Sequence, residues 1–109
     1  MAELAYLVLR CTDIELSRAW YEGLGFQLVP EKHGSGPAHY SMELSGVVLE
    51  IYPLKSASTA GARVGIRVAA PVAASKKALE VGGELVSSSA EGVVIRDLDG
   101  HTFELMALG

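Results

Sequence analysis

The sequence predicts an α+β fold in which two tandem βαβββ units build a curved, cup-shaped mixed sheet with the helices outside. Three observations lead there: an internal repeat, the same order of strand-like and helix-like segments in both copies, and a length that suits one core. Leu9-Arg10-Cys11 is echoed by Ile66-Arg67-Val68, and Leu24 to Val29 (LGFQLV) by Val81 to Val86 (VGGELV), both at an offset of 57 residues. Gly46 to Ile51 (GVVLEI) matches Gly100 to Leu105 (GHTFEL) at an offset of 54. The difference, 57 − 54, leaves the second copy three residues shorter, most simply at the turn around His33 to Pro37. Such a repeat constrains architecture more than any single propensity. A chain of 109 residues is also too short for two cores of ordinary size. The expected organisation is a single domain over 1–109, with unit one at 1–53, a linker at 54–62 and unit two at 63–109.

In the first copy, Leu4 to Cys11 is apolar and rich in strand formers. Asp13 then stands where an N-cap carboxylate accepts orphan backbone N–H groups, and Ile14, Ala19 or Trp20 and Leu24 recur at helical spacing. Gly25 stops that helix. Three strands follow, Phe26 to Lys32, Ala38 to Leu44 and Val47 to Tyr52, divided by Gly34-Ser35-Gly36-Pro37 and by Ser45-Gly46. The second copy repeats the order with a strand Val64 to Ala69, a helix opened by Pro71 and stopped by Gly82-Gly83, and strands Glu84 to Ser88, Val93 to Arg96 and Thr102 to Met106. Asp99-Gly100 forms the last hairpin. The linker, Leu54 to Ala62, is small and polar, long enough for the halves to pair within one chain or to swap between two.

Composition narrows the function. Half of the residues are hydrophobic, enough to offset chain entropy, and the longest apolar runs stop well short of the roughly 20 residues that span a bilayer. No basic segment followed by an apolar one opens the chain, so the expected location is cytoplasmic. The net charge of −4 without a Lys or Arg cluster argues against nucleic acid and mildly favours neutral or cationic small ligands. Cys11, the one cysteine, sits beside Val8 and Leu9 with nothing nearby to activate a thiol, and reads as a buried strand residue.

An Arg-containing first strand, a helix of the form Ser-x-x-x-Tyr-x-x-Leu-Gly-Phe (Ser17 to Phe26) and a closing Asp-x-Asp-Gly-x-x-x-Glu-Leu (Asp97 to Leu105) complete two tandem units. In combination they resemble the vicinal oxygen chelate superfamily of glyoxalases, bleomycin-resistance proteins and extradiol dioxygenases. The resemblance spans nearly the whole chain. It implies a cup formed by two units, usually in a homodimer, but no particular reaction, because the superfamily hosts lyases, epimerases, dioxygenases and binding proteins.

In metal-dependent members, the start of the first strand and the middle of the fourth strand of each unit hold one divalent cation. By motif those positions are Tyr6, Glu50, Arg63 and Glu104, and the repeat offsets pair Tyr6 with Arg63 and Glu50 with Glu104. Both carboxylates are present, but Tyr and Arg stand where His or Gln is usual. Arg is cationic and has no lone pair to donate, and neutral Tyr is a poor ligand for Zn²⁺, Ni²⁺ or Fe²⁺. We therefore expect no metal and no cofactor, with Arg63 pairing Glu50, Glu104 or both through forked hydrogen bonds. His39 and His101 are the only other credible donors, and a strand edge and a turn are the expected places for them.

Strand alternation extends the face. Tyr6 brings Val8 and Arg10, Glu50 brings Val48 and Tyr52, Arg63 brings Gly65 and Arg67, and Glu104 brings Thr102 and Met106. Tyr40 and Tyr52 are expected as aromatic walls and Arg10 and Arg67 as a grip for a ligand carboxylate. Leu7, Leu9, Leu49, Ile51, Phe103 and Leu105 form the opposite, apolar face, against which Trp20 and Tyr21 should pack. Three functions remain open. One is a binding protein that sequesters a small amphipathic or cationic molecule. Another is a lyase, isomerase or dioxygenase using Glu50 or Glu104, with or without a metal, and the third is an interaction domain whose cup is filled by its own side chains. The first is preferred because the metal ligands are missing and the charge is negative.

Overall fold

The computed structural model describes residues 1–109. Its elements run β1 (Tyr6–Cys11), α1 (Ile14–Gly23), β2 (Val29–Glu31), β3 (His39–Leu44), β4 (Val47–Pro53), β5 (Arg63–Val68), α2 (Pro71–Val81), β6 (Glu84–Ser89), β7 (Gly92–Arg96) and β8 (Thr102–Ala107). The βαβββ order is thus present twice. No helix is long and apolar enough to cross a membrane.

Local signals act as their chemistry dictates. The Asp13 carboxylate accepts from the backbone N–H of Glu15 and Leu16, capping α1. Gly25 adopts φ +98°, a left-handed conformation that a side chain resists, and so ends the helix. Pro71 occupies the first turn of α2, where its missing N–H costs nothing. One strand is shorter than expected. The region from Phe26 to Lys32 contributes only Val29–Glu31, an edge strand interrupted by Pro30, which cannot donate to a ladder. Leu28, just before it, is buried in the core instead.

Each unit contributes one mixed four-stranded sheet. Strands β1-β4-β3-β2 form one and β5-β8-β7-β6 the other, with no ladder between them. In each, the first strand runs parallel to the fourth and the remaining pairs are antiparallel. Leu9, Leu49 and Ile51 from unit one and Val93, Ile95, Phe103 and Leu105 from unit two belong to one buried cluster, which both helices complete. The apolar faces of both sheets therefore share a core, and alternation turns the Glu50 and Glu104 faces away from it. Leu7, the exception on the apolar face, is 40% exposed and lines a groove of about 670 Å³ between the units together with Phe26, Val64 and Ile66.

Helix α1 serves the other unit as much as its own. Trp20 and Tyr21 are fully buried, with rings 5.6 and 5.4 Å from that of Phe103 on β8, and Trp20 Nε1–H donates to the Gly82 carbonyl at the end of α2. Large aromatic surface is thus buried across the seam between the two repeats.

Candidate functional site

The register places the acid-bearing faces as alternation requires. Tyr6 is opposite Val48, Val8 opposite Glu50 and Arg10 opposite Tyr52, and in unit two Arg63, Gly65 and Arg67 stand opposite Thr102, Glu104 and Met106. Within one chain the two halves of the expected site share no hydrogen bond or ion pair. Arg63 Nη2 donates to Glu104 Oε1 at 3.2 Å, whereas no hydrogen bond or ion pair joins Arg63 to Glu50. The Arg63 side chain is 58% exposed, and Tyr6 is 61% exposed.

This donor set does not suit the superfamily's cation. Arg63 has no lone pair, it occupies a carboxylate oxygen of Glu104, and Tyr6 offers only a neutral phenol. Arg67 reaches the rim of the inter-unit groove, while the Arg10 guanidinium lies 5.2 Å from the centre of the Tyr52 ring.

Tyr40 leaves the expected set. It pairs with Ile51 in the β3–β4 ladder and shares that residue's apolar face. Its hydroxyl donates to the Glu15 carboxylate at 2.6 and 2.8 Å, and Arg18 lies over its ring, so α1 takes up the side chain. The hydrogen bond to Glu15, together with partial burial, holds the Tyr40 phenol above its ordinary pKa, against the opposing pull of Arg18.

His39 takes the place on the Glu50 side. Rather than lying at an exposed edge, its side chain is only 1% exposed, and its ring stacks on Tyr52 with centroids 4.0 Å apart and 11° between planes. Nδ1–H donates to the Pro37 carbonyl at 3.1 Å, and since a carbonyl only accepts, this bond fixes the tautomer. Nε2 then faces Glu31 Oε1 and Glu50 Oε2, each at 3.3 Å. His33, on the loop between β2 and β3, brings Nε2 within 3.8 Å of Glu31 Oε1. Burial, then the nearby negative charges of Glu50 and Glu31, raise the Tyr52 phenol, with Arg10 pulling the other way. His39 and Glu50 lie on the neighbouring strands β3 and β4. The available signal was the one-residue alternation along His39, Ser41 and Glu43, opposite in phase to Tyr40 and Met42.

His101 is also drawn inward. Asp97 Oδ2 accepts from Tyr21 Oη–H and His101 Nδ1–H, both at 2.6 Å, while Oδ1 accepts from the backbone N–H of Asp99 and His101. Thr59 accepts from Arg10 N–H and donates to His101 Nε2 at 2.6 Å. Asp97, His101 and Thr59 line up like an acid–base relay, but His101 is wholly buried and the Thr59 hydroxyl is tied to β1. The chain of bonds locks linker, helix and hairpin together. Burial alone would raise Asp97, but the hydrogen bonds from His101 and Tyr21 outweigh it and hold the carboxyl below its usual range. The Cys11 thiol is pushed up to about 12, chiefly by burial, and is inert as expected.

The glyoxalase-like domain family matches residues 6–106, and the chain belongs to that family and so to the vicinal oxygen chelate superfamily. Solved structures share the fold at low identity. The hypothetical protein SA1046 from S. aureus superposes with a TM-score of 0.75 at 19% identity, covering 99% of this chain and 98% of that one. TnmS3, an antibiotic-binding protein from Streptomyces sp. CB03234, gives 0.74 at 17% identity, covering 100% and 98%. The fosfomycin resistance protein FosX from Listeria monocytogenes gives 0.76 at 16% identity, covering 100% and 93%. No curated protein matches.

Proposed function

We propose that the protein is a small-molecule-binding protein of the glyoxalase and bleomycin-resistance type. It sequesters an amphipathic or cationic guest on the faces formed by Tyr6, Arg10, Glu50 and Tyr52 in unit one and Arg63, Arg67, Glu104 and Met106 in unit two. The observation that carries this reading is the Arg63–Glu104 ion pair, which puts a guanidinium where relatives hold a cation and leaves unit two without a metal donor pair. An antibiotic-binding protein with the same fold supports the guest class.

The two faces point away from the shared core, so a homodimer in which unit one of one copy meets unit two of the other is the assembly that brings them together. Sedimentation tests the assembly, and titration calorimetry with cationic and neutral amphipathic antibiotics, bleomycin among them, tests the guest. Binding that is weakened by Glu104→Gln and Tyr6→Ala supports the reading; a monomer that binds none of the panel defeats it. The alternative, a lyase, isomerase or dioxygenase, is favoured by one contact. His39 Nε2 beside Glu50 is an arrangement that can move a proton.

A further inference from the structure

We propose that unit one carries a divalent transition-metal site made of Glu31, His33, His39 and Glu50, displaced from the position the superfamily uses and sharing only Glu50 with it. One potential donor atom from each residue lies within 4.8 Å of all the others. The proposal does not depend on the guest-binding reading.

Geometry and charge both point to a cation. His39 spends Nδ1–H on the Pro37 carbonyl, which leaves Nε2 as the ring atom a metal would take, and it stands between two carboxylate oxygens, each 3.3 Å away. In a tetrahedral site with bonds of about 2.0–2.1 Å, neighbouring donors stand about 3.3–3.4 Å apart. The His39, Glu31 and Glu50 donors already have that spacing where the contacts are measured. Two neutral imidazoles and two carboxylates sum to two negative charges, which a divalent ion neutralises, and the mixed nitrogen and oxygen set suits Zn²⁺, Ni²⁺ or Co²⁺.

The surroundings are organised as a metal site requires. The Pro37 carbonyl and the stacked Tyr52 ring orient His39 from outside the ligand set. Exposure rises from His39 (1%) and Glu50 (12%) through Glu31 (35%) to His33 (71%), which provides an entry path on the loop side and one ligand free to swing in. Arg63 is engaged elsewhere, with Glu104, and Arg10 lies over the Tyr52 ring.

The test uses tag-free, chelator-treated full-length protein titrated with ZnCl2 by calorimetry and with CoCl2 by visible absorption. One equivalent of Zn²⁺ should bind, and Co²⁺ should give the d–d bands of a nitrogen- and oxygen-ligated ion. His33→Ala and Glu31→Gln, both at exposed or half-exposed positions that fold without them, should each weaken binding by about tenfold or more. Glu91→Gln, on the exposed β6–β7 turn, should leave it unchanged. The absence of stoichiometric binding would overturn the proposal, as would binding that survives the His33→Ala, Glu31→Gln double variant or that is lost with Glu104→Gln while Glu31→Gln is silent.

Discussion

The two repeats have the same strand order but place their long loops at opposite ends. Unit one joins β2 to β3 by residues 32–38 and β3 to β4 by the two-residue turn Ser45-Gly46; unit two joins β6 to β7 by Ala90-Glu91 and β7 to β8 by residues 97–101. A polar cluster gathers beside each long loop. In unit one this is the Glu31, His33, His39 and Glu50 group, open to solvent on one side. In unit two it is the buried Asp97 and His101 lock, which binds Tyr21 of unit one. Ladder registers set His39 against Gly92 and Glu31 against Ser89 as repeat equivalents. A Cβ at Gly92 would come within 2.5 Å of the Leu105 carbonyl, so a histidine has no room there. The two copies thus share a scaffold but differ in where their polar groups gather: beside the solvent in unit one, and in the buried Asp97–His101–Tyr21 network in unit two.

The strongest challenge to this division is Trp20→Ala. Truncating a fully buried indole at the seam should cost about 3–5 kcal/mol, with urea unfolding still a single transition. Two resolved transitions would mean that the units fold independently. Asp97→Asn should follow, at about 3 kcal/mol, because it removes the charge from a saturated buried network. Its folded pKa is depressed, so the carboxylate's contribution is complete above the ordinary carboxylate range and fades as pH falls through the lower folded value. Melting profiles of the wild type should therefore decline below about pH 4, and those of the variant should be flatter there.

Tyr40→Phe sharpens the assignment within unit one. It removes the hydroxyl that α1 uses, so Tm should fall slightly while guest affinity in calorimetry stays the same; a large loss of affinity would return Tyr40 to the ligand face. Arg63→Ala should have the smallest effect on folding, within about 0.5 kcal/mol in denaturant titrations, because its ion pair is largely solvated. A cost several times larger would show that the pair is buried against another copy.

Much of the scaffold was legible because its signals are local. Asp13 and Pro71 opened the helices and Gly25 closed one, and the alternation along β1, β4, β5 and β8 sorted Glu50 and Glu104 from Ile51 and Leu105. The site was legible in part. Glu50 was readable as a face residue, but its partner His39 was not, because contact between them depends on the β3–β4 register and on a proline carbonyl that orients the ring. The place of Tyr40 was not legible either, because the same register sets it against Ile51 on the apolar face.

The repeat offsets, the order of elements and the identity of the two faces were determined by the sequence itself, since periodicity and capping act over a few residues. Tertiary structure alone decided that α1 packs on Phe103 of the other unit, that Arg63 meets Glu104 and not Glu50, and that His39 joins Glu31 and Glu50. Those pairings depend on how strands register and how the two units dock. The packing of α1 on Phe103 and the pairing of Arg63 with Glu104 close long loops at an entropic cost that no local pattern reveals.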